Sequence, residues 1–191
     1  MVWFRHANPK IEVVVRLEIP RTNRPALKRE LDSTSRLVIP TDLMFAGWRH
    51  LFPAERMLIF GGHKTARGIR VTSFSDVTES KPSAIRVRAC PDRMARALID
   101  FERTGAHLAV WMHSHPGEGP RSTHPSSIDL KQEDDFRQHY SDRLVCIIAV
   151  QDGWCRHWGQ TIERGDVRID WRGQGVDDHT GEPHVYRLKL A

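Results

Sequence analysis

Residues 111–130 read WMHSHPGEGPRSTHPSSIDL. The stretch opens inside an apolar run, 107–112 (HLAVWM), of the kind that forms a strand buried on both faces. Glycines, prolines and serines at 114–125 then deny the chain any regular structure. Ser126-Ser127-Ile128-Asp129 is a capping box, in which a serine and a carboxylate three residues on satisfy a helix start, so 126–140 reads as a helix. A second apolar run, 144–150 (LVCIIAV), reads as the next strand.

The same order extends outward. Residues 57–61 (MLIFG) form a short apolar strand that Gly61-Gly62 ends, and 69–74 (IRVTSF) alternates and suits a hairpin with it. Between hairpin and central strand, 91–104 reads as a helix with Met94, Ala97, Leu98 and Phe101 on one face and Gly105 as its stop. Upstream, 36–39 (RLVI) is a strand ended by Pro40, and 42–51 a helix capped by Thr41 or Asp42, with Leu43, Met44, Trp48 and Leu51 at helical spacing. Residues 11–19 suit a strand that 20–25 breaks. Beyond Gly153 the pattern weakens: 155–162 and 184–190 are strand candidates, with turns at 172–183 between them. Strands alternating with helices, plus one hairpin, predict an α/β or α+β sandwich: a mixed sheet flanked by helices.

At 191 residues and 22.0 kDa, with 39% apolar and 28% charged residues, the chain fits one globular domain with an extra segment and excludes a disordered polymer. The longest apolar run, 144–150, falls far short of the roughly 20 residues a membrane helix needs. Residues 1–10 carry no apolar stretch for a signal peptide, so a cytoplasmic protein with no membrane partner is expected. The net charge is +5, and only six of the 29 basic residues are lysines. The arginines are scattered, which reads as a solvated surface and not as a nucleic-acid face. Cys90, Cys146 and Cys155 form no CxxC pair, so neither a disulfide framework nor a zinc knuckle is expected; Cys146 reads as a core residue.

His113 and His115 lie two apart at a strand end, so both imidazoles project to one side. Asp129 sits in the first turn of the following helix. A strand end, a loop and a helix start can bring the three together around one ion, and two imidazoles with one carboxylate form a catalytic zinc ligand set with a position left for water. Such a site needs a proton acceptor. Glu55, just ahead of the 57–61 strand, is the candidate, and Glu118 in the loop competes with it. His124 is either a fourth ligand, which would close the site, or a bystander in an exposed loop. Asp177, Asp178, His179, Glu182 and His184 could bind a second ion, but their turn-rich setting favours a solvated loop. The run Glu133-Asp134-Asp135 reads as the exposed face of its helix, and Trp111 as core.

His113-Ser114-His115-Pro116 followed by Ser126-Ser127-Ile128-Asp129 resembles the signature of the JAMM (MPN-plus, JAB-domain) zinc metallopeptidases: HSHP or HTHP, a loop, then SxxD, with a glutamate well upstream. The resemblance spans roughly residues 36–150, and the order of elements also agrees. It implies the family's cytidine-deaminase-like fold. It divides the chain into an N-terminal extension (1–35), a metallopeptidase core (36–160) and a C-terminal extension packing on the core (161–191). It implies one zinc ion held by His113, His115 and Asp129. Glu55 would accept the proton of the attacking water and pass it to the leaving amine, and Ser126 would help stabilise the oxyanion. The implied substrate is a ubiquitin-like protein, cut after its C-terminal glycine in a peptide or isopeptide bond. The enzymes that conjugate it would be further partners. The alternatives are a non-catalytic scaffold of the same fold and a related hydrolase acting on a sulfur-carrier protein. One departure stands out: the loop between Pro116 and Ser126 is longer than the family's usual one and holds an extra His124-Pro125.

Overall fold

The computed structural model describes residues 35–79 and 87–189, all within one contact-dense unit spanning Ser33–Ala191. The strand expected at 11–19, and the N-terminal extension up to residue 34, lie outside the described residues. In chain order the elements are β1 (Ser35–Pro40), α1 (Thr41–Leu51), β2 (Met57–Thr65), β3 (Gly68–Asp76), α2 (Pro91–Arg103), β4 (His107–Ser114), a single 3₁₀ turn (Pro120–Thr123), α3 (Ser127–His139), β5 (Val145–Ala149), β6 (Trp154–Trp158), α4 (Gln160–Glu163), β7 (Val167–Arg172), β8 (Val176–Asp177) and β9 (Val185–Leu188).

Among the described residues, nine strands form one mixed sheet in the order β7-β1-β3-β2-β4-β5-β6-β9-β8. β2 and β3 make the expected hairpin, β2 pairs antiparallel with β4, and β4 pairs parallel with β5. The apolar runs lie at the centre of the sheet because both of their faces are covered. On one face Leu58, Phe60, Met112 and Ile147 pack with Met44 and Leu51 of α1. On the other Met57, Ile59, Trp111, Cys146 and Ile148 pack with Met94, Ala97 and Phe101 of α2 and Phe136 of α3. Successive strand residues alternate between these two cores, as the twofold strand period requires. The architecture is thus an α+β sandwich, one mixed sheet with helices on both sides. No helix among the described residues is long and apolar enough to cross a membrane. Cys90, Cys146 and Cys155 are unbridged, the last two buried.

The sheet departs from the sequence reading in several places, among them the short β8, which falls where only turns were expected. β2 does not stop at Gly61 but runs on to Thr65. Its pairing with β4 shifts register at Phe60/Gly61 and that with β3 at Gly61/Gly62, so the glycine pair marks a bulge inside the strand. The space is needed: a Cβ on Gly61 would lie 2.7 Å from the Phe101 ring, and one on Gly62 would lie 2.7 Å from the Arg70 carbonyl oxygen. Residues 155–162 are not one strand; β6 ends at Trp158, Gly159 turns at φ 122° and α4 follows. Finally, β7 has no counterpart in the sequence reading, although Val167, Ile169 and Trp171 alternate with Arg168, Asp170 and Arg172. It runs parallel to β1 at the sheet edge, with Ser35 opposite Val167, a pairing between segments far apart in sequence.

Gly61→Ala should therefore destabilise the protein by about 1–3 kcal/mol, the usual cost of overpacking a filled core, read as a lower urea midpoint at unchanged slope. A midpoint equal to the wild type's would show that Phe101 has room to move.

Candidate metal centre

The C-terminal end of β4 delivers the two histidines. His113 follows Trp111 by two positions and so points to the α3 face, where it stacks on the Trp111 indole at 4.9 Å between centroids. His115 follows two residues later, where its N–H bonds the Ala149 carbonyl at 2.9 Å. Asp129 comes from the first turn of α3. Its backbone N–H donates to Ser126 Oγ (3.3 Å), while its Oδ2 accepts from the Ser126 N–H (2.7 Å). The capping box is thus complete, and it holds the carboxylate against the strand end. The capping and ligand roles of this segment are met by the same atoms.

The three side chains converge. His113 Nε2 and His115 Nε2 are 3.0 Å apart. Asp129 Oδ1 lies 3.1 Å from His113 Nε2, and Oδ2 3.2 Å from His115 Nε2. Among the described residues, this is the one group of three or more His, Cys, Asp or Glu side chains placed to hold a metal ion. His113 and Asp129 are only 3% and 5% exposed. Burial, partly opposed by Asp129, lowers the His113 pKa and keeps its imidazole neutral, the form that ligates. Burial alone would raise the Asp129 pKa. The hydrogen bonds from both histidines and from Ser126 overcome it and hold the carboxylate ionised far below its usual range.

His115 Nδ1 lies 3.1 Å from the Ser122 carbonyl oxygen. A carbonyl only accepts, so Nδ1 carries a proton; with a metal bound, Nε2 would be the ligating atom. Among the described residues, His113 Nδ1 is buried without a partner.

Glu55 immediately precedes the segment where β2 pairs with β4. The Arg56 N–H donates to Ser114 Oγ (3.0 Å), and the Ser114 N–H donates to the Arg56 carbonyl (3.2 Å), which sets residue 55 beside the strand end. Glu55 is half-buried. Its pKa is raised, because burial outweighs the attraction of His115. Its neighbour is clamped from the far side: Asp76 Oδ2 accepts from Arg56 Nη1 at 2.8 Å and faces His50 Nε2 at 2.9 Å, while Oδ1 accepts from the Thr78 N–H at 2.8 Å.

The other candidates fall elsewhere. His124 Nε2 faces Arg156 Nη2 at 3.3 Å and is outside the cluster. Glu118 is exposed and contributes its carbonyl to the Ser122 hydroxyl. The 177–184 cluster is spread out: Glu182 bonds Arg156, and His184 Nδ1 lies 3.1 Å from His157 Nε2. The expectation that Glu133 lies on an exposed face is corrected. It is 4% exposed, accepts from the Gln160 N–H at 3.3 Å and lies 3.6 Å from Arg137 Nε. The physical reason is periodicity, since Glu133 stands one turn after the inward-facing Asp129. Trp111 is core, as expected, and also a wall of the site. The Ser122 carbonyl and Asp76 belong to no motif, and nothing local in the sequence marks them. A broad open groove lined by Phe45, Trp48, Arg49, Gly175 and Lys189 lies with α1 on the opposite face of the sheet, so it is no extension of this group.

Against known proteins, the chain matches no family model and no curated protein.

Burial alone would raise the Asp76 pKa, but the bonds from Thr78, His50 and Arg56 lower it to about 2. A depressed carboxylate stabilises the fold above its unfolded pKa of about 3.9 and loses that contribution as pH falls through the folded value. Stability of the metal-free protein should therefore drop between about pH 4 and pH 2, and Asp76→Asn should remove about 1–2 kcal/mol of that drop, once solvent screening is discounted. Parallel wild-type and variant curves in urea titrations across this window would take Asp76 out of that role.

Proposed function

We propose that the chain is a zinc-dependent peptidase of the JAMM type that hydrolyses the bond after the C-terminal glycine of a ubiquitin-like protein. The observation that carries the reading is the convergence of His113, His115 and Asp129 with Glu55 alongside. Zinc bonds of about 2.0–2.1 Å to nitrogen and oxygen give a coordination tetrahedron with edges of about 3.3 Å. The observed separations of 3.0, 3.1 and 3.2 Å are close to that edge. Two imidazoles and one carboxylate suit zinc better than magnesium or calcium, which favour all-oxygen shells.

Zinc held there would polarise the scissile carbonyl and acidify the attacking water. The residues of the chain do the rest. Glu55, with its raised pKa beside His115, takes the water's proton and returns it to the departing amine, so no acyl-enzyme is required. The Ser126 oxygen accepts from the Asp129 N–H, which leaves its own hydrogen to donate to the carbonyl oxygen as charge develops there. Asp129 and the Ser122 carbonyl keep the imidazoles in register. By the same reading, narrow space beside the zinc would select glycine at the cleavage point.

Purified protein should hold one zinc per chain, and His113→Ala/His115→Ala should hold none. Glu55→Gln should keep the zinc and lose about 10²–10⁴-fold in turnover of glycine-tailed ubiquitin-like substrates, the usual share of a general base. A wild-type protein that takes up no zinc on reconstitution would end the peptidase reading. Zinc-loaded protein inert across a panel of such substrates would end the assignment of substrate.

A further inference from the structure

The loop at 117–125 is folded and tied down. The Ser122 hydroxyl donates to the Glu118 carbonyl at 2.8 Å, and the Thr123 hydroxyl to the Pro120 carbonyl at 2.6 Å, closing the 3₁₀ turn on itself. The Gly119 N–H donates to Asp152 Oδ2 at 3.0 Å, in the turn between β5 and β6. Thr123 is fully buried. Its oxygen accepts from Arg156 Nε at 3.3 Å, and the Arg156 Nη2 lies 3.3 Å from His124 Nε2 and 3.0 Å from Glu182 Oε2.

Arg156 is placed for this by the sheet. His113 on β4 stands opposite Ile148 on β5, and Ile148 opposite Arg156 on β6. Directly opposed strand residues share a face, so Arg156 projects to the same side as His113, two strands away. A guanidinium offers several donors in a fixed plane and can meet three acceptors at once, whereas an ammonium is a single point charge. Glu182, from the segment before β9, balances the charge from the far side.

We propose that Arg156 is a positioning residue for the metal centre. By fixing Thr123 and His124 it holds the adjacent Ser122 carbonyl on His115 Nδ1, and so sets the aim of the ring and of the ligating Nε2. The inference rests on the peptidase reading above. It also accounts for the long loop, which supplies the outer hydrogen bond to one ligand. Loss of such an outer partner typically weakens metal binding about 10–100-fold.

The test is zinc affinity by chelator competition, on wild type, Arg156→Ala and Thr123→Val. The second variant removes the acceptor at nearly constant volume. Side-chain ¹⁵N NMR of the zinc-loaded proteins reads the His115 Nδ1–H hydrogen bond directly. Both variants should bind zinc about 10–100-fold more weakly and lose the hydrogen-bonded Nδ1–H signal, while Gly61→Ala, destabilised far from the loop, should keep the affinity within about twofold and the signal unchanged. Wild-type affinity with an unchanged Nδ1–H signal in both variants would overturn the positioning role and leave the peptidase reading standing. A wild type that binds no zinc would overturn both.

Discussion

The Asp129 carboxylate is the contact on which the site depends. It is a buried anion that must be satisfied on every side, and the fold supplies one N–H from Ser126 and two imidazoles from the end of β4. An unpaired buried charge costs several kcal/mol. The start of α3, the end of β4 and the orientations of both histidines are therefore not independent choices. If the helix start moved, the carboxylate would lose its cap and the histidines their counter-charge together. The same logic explains why so polar a cluster adjoins the core, with His113 stacked on Trp111, without opening it: the charge is met locally.

Around that contact the sheet acts as a ruler. Antiparallel pairing with β2 brings Arg56, and with it Glu55, to the strand end; parallel pairing with β5 brings Ala149 to the His115 N–H; β6 then contributes Arg156. The side chains at the site come from several elements, yet each element is indexed by backbone hydrogen bonds to β4 or to a neighbour of it. Such indexing is stiff, because a shift of one residue would turn a strand's side chains to the opposite face. The Asp76–Arg56 pair and the tied loop extend the same control to the two segments that are not strands.

Much of the site was legible in the linear order of residues because its chemistry is local. His113 and His115 share a face by the twofold strand period, and Ser126 and Asp129 share a helix start by the capping geometry. The buried runs at 57–60, 107–112 and 144–150 stand out because both of their faces are covered. Glu55 was legible only through the order of elements, since nothing about a glutamate before a strand is distinctive until the partner strand is known. Glu133 was misread because its charge suggested solvent, while its spacing from Asp129 pointed inward. The Gly61-Gly62 pair was misread as a stop, for its function is to leave room for Phe101 and the β3 backbone, which lie elsewhere in the chain.

By itself, then, the sequence determined what repeats at short range: where strands and helices form, which face each residue takes, and which donors stand at adjoining ends. Those properties follow from backbone periodicity and capping, which act within a few residues. The tertiary structure decided what short-range rules cannot reach. It paired β7 with β1, carried Arg156 under the loop and set the Ser122 carbonyl on His115. Such contacts are chosen by which surfaces remain to be buried and which donors remain to be satisfied after the local elements have formed, and that balance exists only in the folded chain.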